Sequence, residues 1–138
     1  MTDSMQVYKC NLCGNIVEVL HPGPGQLICC GQPMILMKEK KEDAGQEKHL
    51  PVAADDAHGM KVSVGSIPHP MEGEHYIEWI EVIEECGKIH RAFLNPGDAP
   101  EGLFDVCCDV KEVRSYCNVH GHWSNRDVKV EGSCGCCH

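Results

Sequence analysis

Cys117 and His120 stand three residues apart in Ser115-Tyr116-Cys117-Asn118-Val119-His120-Gly121-His122-Trp123, beside a glycine that lets the backbone turn tightly. A thiolate and an imidazole at that spacing make half of a metal site. Three other histidines can complete it: His49 in Glu47-Lys48-His49-Leu50-Pro51, and His69 and His75 in His69-Pro70-Met71-Glu72-Gly73-Glu74-His75. Four imidazoles and one thiolate are one more ligand than tetrahedral zinc takes. The set therefore points to iron with one position left open. His21, His58, His90 and His138 lie outside any such pattern and read as ordinary imidazoles.

A second constellation is Cys10-x2-Cys13-x15-Cys29-Cys30. Four thiolates make a tetrahedral site for zinc or iron, and spacing alone does not choose between a structural zinc ribbon and an iron centre. The adjacent pair is unusual, because two neighbouring side chains must turn toward one ion. A Cys29–Cys30 disulfide is disfavoured by the strain of a vicinal bridge.

The elements that must position these donors read as strands. Residues 1–37 form a first unit: the Cys10–Cys13 knuckle closed by Gly14, a strand over Ile16–Leu20, a turn at His21-Pro22-Gly23-Pro24-Gly25, and a strand over Met34–Met37. A unit that short rarely folds without a metal, disulfides or a partner chain. Residues 38–46 have no apolar side chain larger than alanine and read as a solvated linker. From residue 47 to 124, Met60–Val64 alternates with its apolar residues on one face. Tyr76–Ile83 is apolar on both faces except at Glu78 and Glu81, as in a sandwich centre. Ile89–Leu94, Leu103–Val110 and Val113–Cys117 follow, with a turn over Asn95–Pro100. The pattern predicts a small antiparallel β-sandwich.

Over 138 residues the net charge is -9 with no basic stripe, which argues against nucleic-acid binding. It would also repel an anionic substrate unless a local cation offsets it. No signal peptide and no apolar run of membrane-spanning length is read, so the chain is expected to be soluble and cytoplasmic. In a reducing compartment the eleven cysteines are expected to be metal ligands or reactive thiols rather than a disulfide framework. The tail over residues 125–138 ends in Cys134, Cys136, Cys137 and His138, which suit a soft metal ion or oxidation on handling. Cys107-Cys108 reads as a pair of small buried hydrophobes in a strand, and Cys86 as an exposed turn residue.

Taken together, Val7-Tyr8-Lys9-Cys10-x2-Cys13-Gly14-Asn15, Cys29-Cys30, Glu47-Lys48-His49-x-Pro51, His69-Pro70-Met71-x3-His75-Tyr76-Ile77 and Tyr116-Cys117-Asn118-x-His120-Gly121-x-Trp123 resemble the desulfoferrodoxin family of two-iron superoxide reductases. The resemblance covers roughly Met5 to Trp123, and the order and spacing of its motifs are specific. It implies a desulforedoxin-like N-terminal domain with a ferric centre on Cys10, Cys13, Cys29 and Cys30. It also implies an immunoglobulin-like domain with a catalytic iron, His49, His69, His75 and His120 in a plane around it and Cys117 axial. One-electron reduction of superoxide to hydrogen peroxide would follow, with Lys48 attracting the anion and Glu47 capping the oxidised iron. A rubredoxin-like electron donor and a homodimer are implied too. The competing class is a non-catalytic electron carrier or a zinc-binding structural protein. The long cysteine-rich tail departs from the family pattern.

Overall fold

The computed structural model describes residues 1–40, 49–56, 59–65 and 68–128. The chain divides into two units, Met1–Lys38 and Glu39–His138.

In the first unit, β1 (Val7–Lys9) lies between β2 (Ile16–Glu18) and β5 (Ile35–Leu36), all antiparallel, while β3 (Ile28–Cys29) and β4 (Gln32–Pro33) form a separate hairpin. These strands are too short to enclose much: Val7, Cys10 and Val19 are buried, whereas Leu12, Leu20 and Ile28 are exposed. The β3–β4 hairpin explains how Cys29 and Cys30 can face one point. Cys29 pairs with Gln32, so Cys30 and Gly31 are the two loop residues, and both are left-handed at φ 53 and 76. That is the turn whose twist matches a tight hairpin, and it costs a residue with a Cβ more than a glycine. The N-terminus is tied down by Thr2, whose amide donates to the Gly23 carbonyl at 2.9 Å while its hydroxyl oxygen accepts from the Gly23 amide at 3.0 Å.

The second unit is a sandwich of two antiparallel sheets. One has the order β10 (Glu101–Phe104), β7 (Gly59–Val64), β6 (Pro51–Asp56), and the other β12 (Gly121–Asn125), β11 (Val110–Cys117), β8 (Ile77–Glu84), β9 (Ile89–Phe93). Met60, Val62 and Val64 alternate inward from β7, as read from the sequence, and meet Ile80 and Val82 of β8 and Val113 of β11. At each end of the β8–β11 ladder one strand carries an extra residue. Tyr116 pairs with Trp79 but Cys117 pairs with Ile77, so Glu78 is the extra residue there. A bulge breaks the period of two, and it brings Ile77 to the same inner face as Ile80.

The outer face of that sheet is buried too. Trp79 stacks on Tyr116 with ring centroids 4.5 Å apart, and the Trp79 indole donates to Glu81 at 3.1 Å. The Glu81 carboxylate is fully buried and accepts from Arg91 at 2.7 Å and from Arg114 at 3.0 Å. Arg114 also reaches Glu39 at 3.2 Å. Composition assigned Glu39 and Lys40 to the solvated linker, yet the Lys40 amide donates to the His122 carbonyl and the Ser124 amide to the Lys40 carbonyl. At the chain's other end, Arg126 pairs with Glu112 and Glu39, and Val128 packs on the core, so order runs beyond the expected start of the tail.

Two further expectations need correction. The strand expected over Leu103–Val110 is broken: β10 ends at Phe104 and β11 starts at Val110. Cys107 and Cys108 lie in the connection, half-buried, and each is in a disulfide rather than packed as a free apolar side chain. Their amides both donate to Glu84, which is buried at the end of β8. Burial pushes the Glu84 carboxyl up, but the Cys108 and Cys107 amides and the His90 imidazole outweigh it and hold it below the ordinary value.

Both tryptophans, Trp79 and Trp123, lie in the second unit, so their fluorescence follows its unfolding. Glu81→Ala removes the buried carboxylate that Arg114 and Arg91 share and should cost about 3–5 kcal/mol in urea unfolding read this way. An ionised Glu84 contributes stability above the ordinary carboxylate pKa, and that contribution fades as pH falls through its lowered folded-state value. The stability gap between the parent chain and Glu84→Gln should therefore be present at pH ~5 and shrink as pH falls below ~4.

Candidate metal centres

Cys117 is the last residue of β11 and His120 sits in the turn before β12. His49 lies two residues before the start of β6, held where its carbonyl accepts from the Ser115 hydroxyl at 3.1 Å. His69 and His75 lie on the β7–β8 connection. Asn118 binds that connection to the 117–120 turn: its side-chain oxygen accepts from the Tyr76 amide at 2.9 Å and its side-chain nitrogen donates to the Glu74 carbonyl at 3.1 Å. One donor atom from each of His49, His69, His75, Cys117 and His120 lies within 4.8 Å of every other. All five residues singled out from spacing meet at one end of the sandwich.

The ring atoms show what the cluster can hold. His69 Nδ1 lies 2.6 Å from the Pro70 carbonyl, which can only accept, so that nitrogen carries the proton. Nε2 is then a bare lone pair, buried and without a hydrogen-bond partner among the described residues. A backbone carbonyl fixing one nitrogen while the other faces a cluster is the usual posture of a metal-binding histidine. His120 Nδ1 is 2.9 Å from His49 Nε2, 3.2 Å from His75 Nε2 and 3.7 Å from Cys117 Sγ. One proton can satisfy only one of these contacts, and the remaining lone pairs face each other. A metal cation satisfies all of them.

Electrostatics favour neutral rings. Burial, joined by the neighbouring rings, brings His69 down to about 4. Burial and then the charges of His75 and Lys40 lower His120. Burial raises the Cys117 thiol, although the His120 and Val119 amides point at its sulfur. His49, His69 and Cys117 are buried, His75 is half-buried and His120 exposed, so the cluster opens to solvent past His75 and His120.

Three residues the spacing argument gave no role stand around it. Trp123 stacks on His49 with centroids 5.0 Å apart, and the Lys40 ammonium lies 5.8 Å from the Trp123 ring centre. Asn118 is the third. Its place inside a tight turn was the available signal for it, while nothing in the composition around Lys40 separated it from solvated lysines. Glu47 and Lys48 lie outside the described residues, as do Cys134, Cys136, Cys137 and His138.

In the first unit, one sulfur from each of Cys10, Cys13, Cys29 and Cys30 lies within 4.8 Å of the others. The Cys13 and Leu12 amides bring the Cys10 thiol down to about 6, whereas the Cys13, Cys29 and Cys10 sulfurs push Cys30 up to about 12. Four sulfurs this close cannot all be thiolates without a cation among them, and one thiolate forces its neighbours to keep their protons. The donor set fits a tetrahedral metal.

Residues 2–37 match the model for the desulfoferrodoxin N-terminal domain and residues 41–126 the model for desulfoferrodoxin. A desulfoferrodoxin homolog from Archaeoglobus fulgidus is 57% identical over 91% of this chain and 99% of its own length. The desulfoferrodoxin of Nitratidesulfovibrio vulgaris is 54% identical over 89% of this chain and 97% of its own. The crystal structure of the superoxide reductase from Treponema pallidum superposes with a TM-score of 0.72 at 29% identity, over 87% of this chain and 96% of that one.

Because the two units have separate donor sets, Cys30→Ser should empty the four-sulfur site and leave the metal of the five-donor site in place. Metal content per chain and the visible spectrum check this, and loss of both metals would contradict it.

Proposed function

The chain belongs to the desulfoferrodoxin family, and we propose that it is a superoxide reductase, taking superoxide to hydrogen peroxide with one electron and two protons. The observation that carries the proposal is the convergence of His49, His69, His75, His120 and Cys117 on one point at the open end of the sandwich. Iron bound by these five would supply the electron and an open position for a small anion.

The chain's own residues make that position usable. Neutral imidazoles add no negative charge to the site, and His69 stays neutral because burial holds its pKa near 4. Cys117 would be the electron-rich donor to such an iron, its sulfur raising the electron density the metal can supply. An acidic protein repels superoxide at long range, so a local cation is needed. Lys40 provides one beside Trp123. Lys48 is assigned the same task on the strength of its place next to His49, and Glu47 is assigned the capping of the oxidised metal. His75 is half-buried and His120 exposed, so solvent protons reach that end of the cluster.

The reading extends to two irons per chain, the second on Cys10, Cys13, Cys29 and Cys30. It divides the chain into an iron-binding domain over 1–37, a linker over 38–46, a catalytic domain over 47–124 and a tail over 125–138. Family membership also supports a cytoplasmic homodimer supplied with electrons by a rubredoxin-like protein.

Pulse radiolysis of the reduced, iron-loaded chain under anaerobic conditions tests the activity. A reductase forms one peroxide for each superoxide and releases no dioxygen. Dioxygen release would mean dismutation, and superoxide decaying at its background rate would leave only an electron carrier. Lys48→Ala should slow the encounter and flatten its salt dependence, since a steering charge is screened within ~10 Å at 0.1 M salt, while iron content stays the same.

A further inference from the structure

His75 is carried differently from the other four donors of its cluster. It ends a small turn over residues 72–75 that closes on itself, the Glu72 amide donating to the His75 carbonyl at 3.0 Å and the His75 amide to the Glu72 carbonyl at 3.1 Å. Glu72, Gly73 and Glu74 are exposed, so little packing holds the turn. Among the described residues, the hydrogen bonds that tie residues 72–76 to the rest of the unit, the His75 ring apart, all end on Asn118.

Asn118 grips the peptide groups on either side of His75. Its Oδ1 accepts from the Tyr76 amide at 2.9 Å, and its Nδ2 donates to the Glu74 carbonyl at 3.1 Å. Its own amide donates to the Tyr76 carbonyl at 3.2 Å. A primary amide offers an acceptor on one atom and donors on another, which matches an N–H after His75 and a carbonyl before it. Asn118 also stands between Cys117 and His120 in sequence, so one side chain sets where His75 lies relative to two other donors.

We propose that Asn118 is the metal-selectivity residue of the five-donor site, a positioning residue that keeps His75 in place as the fifth ligand and thereby favours ferrous iron over zinc. The inference rests on reading the cluster as an iron site. For a given set of nitrogen and sulfur donors zinc binds more tightly than ferrous iron, so a site that takes iron must discriminate by geometry. Zinc is satisfied by four tetrahedral ligands, a number that His49, His69, His120 and Cys117 supply without His75. A fifth imidazole, held with its donor atom within 4.8 Å of all four others, works against that arrangement.

The test loads the full-length chain anaerobically with a constant excess of Fe(II) and rising Zn(II), and counts both metals per chain. Two midpoints of iron displacement are expected, one for each site. His75→Ala removes the fifth donor outright, and the midpoint it lowers is that of the five-donor site. In Asn118→Ala the same midpoint should fall about ten-fold, as loss of a ligand's supporting hydrogen bonds typically costs, while the other midpoint stays where it was. Asn118→Asp keeps the acceptor for Tyr76 but sets an oxygen against the Glu74 carbonyl, so it should lower that midpoint by less. Its added charge acts on both divalent ions alike, and it carries the test if Asn118→Ala does not fold. A fold that had merely loosened would lose both metals together and leave the midpoint unmoved. A shift in His75→Ala with none in the Asn118 variants would overturn the proposal alone. No shift even in His75→Ala would overturn the five-donor iron reading with it.

Discussion

Five electron-pair donors gathered within 4.8 Å, one of them a buried histidine nitrogen with no proton and no partner among the described residues, form the constraint on which the second unit depends. Lone pairs do not attract one another, so the surrounding fold must bring them together before any cation arrives. The His49 carbonyl anchored on Ser115, the Asn118 clamp and the Pro70 carbonyl under His69 are the means. The first ties the segment before β6 to β11, the second ties the β7–β8 connection to the turn after β11, and the third fixes the His69 ring within its own loop.

The β8–β11 pair is the beam beneath this. One end carries the bulge at Glu78, which turns Ile77 inward beside Cys117. The other end carries Glu84 and the cysteines of the β10–β11 connection. Between them a sheet buried on both faces needs an explanation for its charged residues, and the Glu81–Arg114–Arg91 group supplies it. Such a group is weak evidence for stability as such, because desolvation offsets most of the attraction. Its geometry does require Arg114 and Glu39 to be placed together, which draws the segment at Glu39 and Lys40 against the sheet.

The donors and the strand pattern were legible in the sequence because both are local signals. Cys117-x-x-His120 and the alternation of Met60, Val62 and Val64 each depend on spacing alone. What was not legible depended on partners distant in sequence. Glu39 and Lys40 look like any solvated pair until β12 is placed beside them. Glu81 and Glu84 look like surface carboxylates until Arg114 and the Cys107–Cys108 amides arrive. β6 was missed as a separate strand because its sequence, PVAADD, alternates only weakly. The vicinal cysteines posed the opposite case: the pair was conspicuous, but the turn that lets both face one point shows only in the backbone.

That turn has a consequence for how the first unit can change over generations. At a two-residue hairpin both φ angles are positive, and one belongs to a cysteine. Inserting a codon there would alter the hairpin's handedness and the sulfur positions together, and a β-branched replacement for Gly31 would fight the backbone directly. Drift at this point is therefore confined by chain geometry as well as by sulfur chemistry.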